Sequence, residues 1–157
     1  MEFLNRARVP APRDQVWVFL QDLEAVSRCV PGVESLERID EDTYRGAMRV
    51  KVGPIGLRLE GDLVLEGRDE AAHVTRMRAR AADKRVSGAV NANIAMEVAE
   101  VSPSETELVV RTDAAVLGKL GEFGQPLMRK KGDSIMAEFA RNLAKQVAAP
   151  DGPGGRT

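Results

Sequence analysis

The spacing of hydrophobic positions changes twice along the chain. Apolar residues fall at helical spacing after residue 12, alternate with polar ones from about 33 to 117, and return to helical spacing near the C-terminus. The pattern predicts a strand over 2–9, a helix starting at Pro12, a helix over 23–29 capped by Asp22, six strands, and one long helix. The six strands are predicted over 33–39, 44–52, the segment from Leu57 to Leu65, 74–82, 86–98 and 106–117.

The C-terminal segment carries an apolar face long enough to need a large partner surface. Its apolar residues recur at every fourth position: Ile135, Phe139, Leu143 and Val147. Leu120, Phe123 and Leu127 extend the pattern upstream. Pro126 is compatible with a helix start at Gln125, or with a kink if the helix begins near Leu120.

These elements predict an α+β fold. Strands joined by short turns are antiparallel, and such sheets commonly have one wet face and one covered face. The final helix is the only long element left to cover the dry face. We therefore expect a curved seven-stranded antiparallel sheet wrapped around the C-terminal helix, with two short helices between strands 1 and 2. Residues 1–147 form the predicted domain, and 148–157, ending in PDGPGGRT, are predicted to be a flexible tail.

The inward-facing positions predict a hydrophobic ligand cavity. Five methionines besides Met1 are expected to converge in one interior, and methionine adapts to variable apolar ligands. Small residues, among them Ala79, Ala81, Gly88, Ala92 and Ala114, stand where a filled core would favour larger ones. The alternative is a packed core that uses methionine as filler. The residues predicted to bind the ligand are Met48, Val50, Leu57, Leu59, Met77, Ala79, Val90, Ala92, Ile94, Met96, Leu127, Met128, Met136 and Phe139.

The polar residues favour binding over catalysis. The inward hydroxyls of Tyr44, Thr75, Thr106 and Thr112 can orient a ligand, but they are poor acid–base groups near neutral pH. Four carboxylates on the predicted strands are expected to point outward: Glu60, Asp62, Glu97 and Asp113. His73, the only histidine, is expected at a hairpin end. We therefore predict neither a catalytic residue nor a metal site.

Surface charge excludes one class of partner and leaves another open. With 23 basic and 24 acidic residues, the chain lacks the basic excess of a nucleic-acid-binding protein. Arg76, Arg78 and Arg80 are predicted to form cross-strand ion pairs with acidic residues of the preceding strand, at Glu60, Asp62 and Glu66. The run Arg129-Lys130-Lys131 is the better candidate for touching an anionic surface.

The expected location is the cytoplasm. Cys29 is the only cysteine, the N-terminus lacks the apolar core of a signal peptide, and no apolar run approaches the ~20 residues of a membrane span. Any membrane contact is therefore expected to be peripheral, on the inner face of the cytoplasmic membrane.

Several motifs resemble those of one family. The order of elements is similar to the helix-grip superfamily, also called START-like, Bet v 1-like or SRPBCC. Within it, the chain resembles the CoxG family, named for the G subunit of carbon monoxide dehydrogenase. The motifs that carry the resemblance are Val9-Pro10-Ala11-Pro12, Val16-Trp17, Cys29-Val30-Pro31-Gly32-Val33 and Val50-Lys51-Val52-Gly53-Pro54-Ile55, with Tyr44, Gly46 and Gly61.

The resemblance implies a non-catalytic accessory protein. CoxG-type proteins are associated with molybdenum hydroxylases of the CO dehydrogenase type, recruit the enzyme to the cytoplasmic membrane, and are thought to hold a lipid-soluble quinone. The implied ligand is thus menaquinone, ubiquinone or another lipid, with no covalently bound cofactor. The alternative is an enzyme of the polyketide cyclase/dehydrase kind, which shares the fold and would act on a hydrophobic substrate in the same cavity. A third class is an interaction module with a filled core.

Overall fold

The computed structural model describes residues 1–147, and the predicted tail over 148–157 lies outside the described residues. Within residues 1–147, three α-helices and seven β-strands follow one another. Their bounds are β1 Glu2–Val9, α1 Arg13–Leu20, α2 Leu23–Ser27, β2 Val33–Arg38, β3 Thr43–Val52, β4 Ile55–Asp69, β5 Val74–Asp83, β6 Gly88–Ser102, β7 Glu105–Gly118 and α3 Gln125–Val147.

All seven strands form one antiparallel sheet in the order β1-β7-β6-β5-β4-β3-β2. Strands β2 to β7 are joined in sequence by short connections, and β1 pairs with β7 from Glu2 opposite Asp113 to Val9 opposite Thr106. The sheet curves around α3, so the predicted helix-grip fold is confirmed. Strands joined by short turns pair antiparallel, because parallel pairing needs a long crossover connection. The alternating pattern with its short turns was therefore sufficient to predict this sheet.

The two short helices begin close to their predicted starts. Pro12 occupies the position before α1 in an extended conformation, so the helix begins one residue later than predicted. The side chain of Asp22 caps α2 by accepting a 3.1 Å hydrogen bond from the backbone N–H of Ala25. Helix α2 ends at Ser27 rather than at residue 29, and the carbonyl of Cys29 accepts a 2.9 Å hydrogen bond from the side chain of Asn142. This bond fixes α3 against the end of α2.

Two connections depart from the predicted strand and helix bounds. Residues Lys84–Val86 form a 3₁₀ turn rather than the start of β6, and Ser87 follows with a φ of 50°. Residues Lys119–Glu122 form a second 3₁₀ turn, so the long helix starts at Gln125 and not near Leu120. Of the two interpretations of Pro126, the helix start is therefore confirmed.

Helix α3 lies along the free edge of β1. The side chain of Asn5 donates a 2.6 Å hydrogen bond to Asp133, and the side chain of Gln125 donates a 3.3 Å bond to the backbone carbonyl of Glu2. These contacts attach the helix to the edge of the sheet rather than to its central strands.

The buried side chains form two separate clusters. The larger one fills the end of the roll beneath α1 and α2, where Leu20, Leu108 and Leu143 are at most 1% exposed. The smaller one lies at the opposite end and consists of Val52, Leu57 and Leu120, with half-buried residues packed against it. Of the residues predicted to line a cavity, Met48, Ala79 and Ala92 belong to neither cluster.

Candidate ligand-binding site

The inner face of the sheet is lined by small side chains midway between the two clusters. Strand register places Ala79, Ala92 and Ala114 side by side across three strands. The neighbouring inner row contains Gly61 and Ala81. Because these side chains end at or before Cβ, they leave volume that larger residues would occupy.

Gly61 also allows the sheet to bend at this place. A Cβ atom built on Gly61 would lie 1.8 Å from the carbonyl oxygen of Arg80 on the adjacent strand. No side chain tolerates such a contact, so only glycine permits the two backbones to approach this closely. The bend directs the small-residue rows around α3.

Exposure changes along the inner face in the way a hollow requires. At the α1–α2 end, Val98 and Leu108 are at most 1% exposed. Towards the middle, Met48, Ala79 and Ile94 are only half-buried, although their strand positions face α3. Ala92 and Ala114, beside Ala79, are 8% and 7% exposed, so the interior is filled at one end and partly accessible to water in the middle. This distribution supports the cavity prediction over a fully packed core.

A small crevice lies on the surface beside α3. It measures about 180 Å³ and lies between the helix and β3, with Val50, Lys131 and Ile135 among its walls.

The predicted ligand-binding residues divide among several places. Four lie in the larger cluster, and Leu57 lies in the smaller one with four others packed against it. Ile94 packs against the larger cluster, while Met48, Ala79 and Ala92 belong to neither. The four in the larger cluster are Met77, Met96, Met136 and Phe139, and the four beside Leu57 are Val50, Leu59, Val90 and Met128. The expectation that all five methionines converge in one interior is therefore wrong.

The expected place of Leu127 on the buried helix face is also wrong. Its side chain is 37% exposed. At about 100° per residue, position 127 lies roughly 120° around the helix from Phe139, which is buried. The spacing extrapolated from Leu120 fails because residues 119–122 do not belong to the helix.

The inner hydroxyls differ in their hydrogen bonding. Thr106 is fully buried and donates a 2.7 Å hydrogen bond to the backbone carbonyl of Ala11. Thr75 is 2% exposed, and its hydroxyl has no partner among residues 1–147. Tyr44 and Thr112 make no side-chain hydrogen bond within the described part of the chain. Thr75, Tyr44 and Thr112 therefore retain the capacity to bind a ligand oxygen.

One buried carboxylate is absent from the sequence-based predictions. Asp83 is 2% exposed and continues the odd-numbered inner series of β5, a signal that could have found it. Its oxygens accept hydrogen bonds from the backbone N–H groups of Arg58 (2.8 Å) and Arg85 (2.9 Å) and from the Arg85 guanidinium (3.0 Å). The guanidinium of Arg85, ahead of the N–H bond from Arg58, lowers the pKa of Asp83 to about 2.

That environment gives Asp83 a structural role. A general base works best with a pKa near the operating pH, whereas a carboxylate of pKa about 2 holds its negative charge and accepts protons poorly. Its bonds join β4, β5 and the 3₁₀ turn after β5. Asp83 is therefore a clamp at the end of the sheet.

The other side chains that could take part in catalysis or metal binding lie outside the hollow. His73 sits in the β4–β5 turn, with its ring 5.2 Å from that of Trp17 and its Nε2 atom 3.6 Å from Asp14. Burial raises the pKa of the Cys29 thiol, so less of it is present as the reactive thiolate. Within residues 1–147, no group of three histidine, cysteine, aspartate or glutamate side chains could hold a metal ion.

The outer arginine row forms ion pairs only in part. Arg78 pairs with Glu66 at 3.0 Å, as predicted. The predicted partners of the other two arginines bind elsewhere, because Asp62 pairs with Arg45 at 3.0 Å and Glu60 with Arg58 at 2.9 Å. The prediction is thus correct for Arg78 and wrong for Arg76 and Arg80, for which the described residues supply no ion-pair partner.

A concavity of about 870 Å³ opens mainly on this outer face, and Met77, Ile94 and Thr112 of the inner face also contribute to its lining. Most of its lining residues, including Leu4, Arg76, Ala95 and Arg111, occupy outward-facing strand positions. The inner alanines at 79 and 92 do not contribute to it.

The end of the roll beneath the smaller cluster exposes apolar residues. The β3–β4 turn contains Gly53 with a φ of 58°, and a Cβ atom there would lie 3.7 Å from Cδ2 of Leu127. Next to this turn, Ile55 is 38% exposed. Lys51 near the end of β3 and Lys130 on α3 are also exposed. In the part of the chain that the structure describes, no helix is long and apolar enough to cross a membrane.

Solved structures share this architecture at low sequence identity. A conserved protein from Geobacillus kaustophilus is 20% identical, with a TM-score of 0.83 over 94% of this chain and 95% of that one. A START superfamily protein from Mycobacterium smegmatis is 12% identical, with a TM-score of 0.70 over 94% and 97%. The ZhuI aromatase/cyclase from Streptomyces sp. R1128 is 15% identical, with a TM-score of 0.68 over 100% and 99%. These likenesses establish the START-like fold.

The sequence itself identifies the family. No curated protein matches the chain. The model of the CoxG family, described as the G subunit of carbon monoxide dehydrogenase, matches residues 6–148, which include both short helices, the whole sheet from β2 onward and α3. Its fold is one that binds hydrophobic ligands, and the chain belongs to the CoxG family.

Proposed function

We propose that this protein binds a lipid-soluble ligand, a quinone or a related lipid, in the hollow between the sheet and α3. The observation that carries the proposal is the accessible inner face between the two buried clusters. Its walls are apolar, as at Met48 and Ile94, and include small residues such as Ala79. Ligand sites of this kind are concave and mostly apolar with a few polar groups.

Quinones suit the chemistry of these walls. A quinone combines an apolar ring and tail with two carbonyl oxygens that accept hydrogen bonds. The hollow offers apolar surface for the tail, and the hydroxyl of Thr112, which has no side-chain hydrogen bond within residues 1–147, for a carbonyl. The ligand binds non-covalently, as expected for a carrier that must release it.

We further propose that the protein is an accessory partner of a molybdenum hydroxylase of the CO dehydrogenase type. Family membership supports this partner, since the family is described as a component of carbon monoxide dehydrogenase. In this role the protein would recruit the enzyme to the cytoplasmic membrane or couple it to the quinone pool.

The end of the roll near Gly53 is suited to a peripheral membrane contact. Ile55 and Leu127 expose apolar surface there, with the cationic Lys51 before the β3–β4 turn and Lys130 on α3. Apolar residues flanked by lysines favour binding to anionic lipid surfaces. A ligand could then pass between bilayer and hollow without crossing water.

Catalysis is the second candidate, favoured by the fold shared with an aromatase/cyclase. The environment of Asp83 argues against it, because a carboxylate with a pKa of about 2 is a weak base. Neither Tyr44 nor Thr75 offers acid–base chemistry near neutral pH. We therefore assign the hollow to binding.

Native mass spectrometry of the protein purified from its own host tests the proposal. The expected result is a mass increment that disappears on organic extraction and is identified as a quinone or lipid in the extract. Incubation of the ligand-free protein with decylubiquinone should restore a 1:1 complex. Turnover of a cyclisable polyketide, with no retained lipid, would favour the enzyme instead.

A matched pair of variants locates the ligand. Ala79→Trp fills the inner face of β5, whereas Ala82→Trp adds the same side chain to the outer face of the same strand. Ala79→Trp should abolish decylubiquinone retention, and Ala82→Trp should retain it. Circular dichroism melts check that the two variants have the same melting temperature, so that a difference in retention does not come from unfolding. Equal retention by the two variants would place the ligand outside the hollow.

A further inference from the structure

Thr75 is the exception among the buried polar residues of the described chain. Four such side chains are buried: Ser27, Thr75, Asp83 and Thr106. Ser27 donates to the carbonyl of Glu24 at 2.7 Å, Thr106 donates to that of Ala11, and Asp83 accepts several bonds. Of these four, only Thr75 has no partner among residues 1–147; the other unpartnered buried atoms belong to partly exposed residues, at Arg13, Gln21 and His73. A buried hydroxyl without a partner destabilises a fold, so its presence calls for a reason.

The hydroxyl stands on the inner face and is covered by flexible side chains. On its own strand the next inner residue is Met77, and directly opposite on β6 lies Met96. Both methionines are at most 7% exposed and belong to the larger cluster. A methionine side chain has three rotatable bonds and adapts readily to a new neighbour. A rotamer change of either one would open the path from the hollow to the Thr75 oxygen.

We propose that the Thr75 hydroxyl is the hydrogen-bond donor for the polar end of the bound ligand. This inference rests on the proposed function and specifies its ligand class: a hydrophobic body ending in a carbonyl or another accepting oxygen. The head enters between Met77 and Met96 and takes the bond that the ligand-free protein leaves unmade. The tail extends along the inner alanines towards Met48. A ligand without an accepting oxygen gains nothing from Thr75.

The test compares two probes on the wild type, Thr75→Val and Thr75→Ser. Decylubiquinone carries carbonyl oxygens, and decylbenzene has a similar tail without them. Valine preserves the shape of threonine and removes the hydroxyl, while serine keeps the hydroxyl. By isothermal titration, Thr75→Val should bind decylubiquinone about tenfold more weakly and decylbenzene within about twofold of wild type. Thr75→Ser should restore the preference for decylubiquinone.

Melting of the ligand-free proteins provides an independent measurement. Because the hydroxyl is unpaired, Thr75→Val should melt at the same temperature as the wild type or higher. A lower melting temperature would mean that the hydroxyl already has a partner, and it would overturn the assignment. Unchanged decylubiquinone affinity in Thr75→Val would overturn it while leaving the proposed function intact. A wild type that binds neither probe would remove the proposed function and the assignment with it.

Discussion

The Oδ2 atom of Asp83 accepts a 2.8 Å hydrogen bond from the backbone N–H of Arg58. The carboxylate thus satisfies a strand N–H at the point where the pairing of β4 with β5 has ended at Glu60 opposite Ala82. Asp83 also caps the following 3₁₀ turn through the N–H of Arg85. One buried side chain therefore holds together two strands and the turn that leads into β6.

This arrangement predicts acid sensitivity. The unfolded chain protonates Asp83 near the ordinary pKa of 3.8, whereas in the folded state the pKa is about 2. The resulting stabilisation is fully present above pH 3.8 and is lost as pH falls through 2. The melting temperature of the wild type should fall over this range, and Asp83→Asn should show a smaller fall. Circular dichroism melts at several pH values provide the measurement.

The control for that experiment is Asp113→Asn, which changes an exposed carboxylate on β7. Its pH profile should follow the wild type. Arginine hydrogen bonds also lower the pKa of Glu34, so the wild type has more than one acid-sensitive group. If Asp83→Asn and the wild type lose the same amount of stability on acidification, Asp83 does not act as the clamp.

Thr106→Val should destabilise the fold by about 1–3 kcal/mol. The substitution keeps the shape of the side chain but removes the 2.7 Å bond to the carbonyl of Ala11, which is 2% exposed and would be left unpaired. Urea unfolding gives the free energy directly. Thr75→Val makes the same chemical change at an unpaired hydroxyl and is the matched control. An equal loss of unfolding free energy in both variants would contradict the assignment of a hydrogen bond to Thr106 and none to Thr75.

Most of the fold could be predicted because the hydrophobic pattern has so few solutions. Alternation over six segments separated by short turns requires antiparallel hairpins, and the spacing of Phe139 and Leu143 requires a helix facing them. The cap at Asp22 and the helix start near Pro12 could also be predicted, because both depend on residues close in sequence. These features depend on neighbouring residues in the sequence.

The site was less predictable because its properties depend on contacts across the sheet. Strand alternation placed Met48 and Met96 on the inner face correctly, but it cannot tell which of them joins a packed cluster. Leu127 was misplaced because the helix phase was extrapolated through a 3₁₀ turn. Thr75 and Thr106 have the same residue type and the same facing, and only the position of the Ala11 carbonyl distinguishes their hydrogen bonding.

The two halves of α3 should differ in their contribution to stability. Leu143 is fully buried in the larger cluster, whereas Leu127 is 37% exposed near the β3–β4 turn. Leu143→Ala should therefore cost about 2–5 kcal/mol, through lost burial and the remaining cavity. Leu127→Ala should cost less than about 1 kcal/mol. Urea unfolding of the two variants makes the comparison, and similar losses would mean that the start of the helix is packed more tightly than its exposure indicates.

The exposed residues near Gly53 should carry the membrane contact. Replacing both Ile55 and Leu127 with glutamate puts negative charge where we propose that apolar side chains enter the interface. Binding to vesicles of phosphatidylglycerol and phosphatidylcholine, measured by cosedimentation, should then weaken by at least about tenfold. Val18→Glu is the control, because Val18 is 70% exposed on α1, away from this end of the roll. Vesicle binding that falls as much in Val18→Glu as in the double variant would show that this end of the roll is not the contact surface.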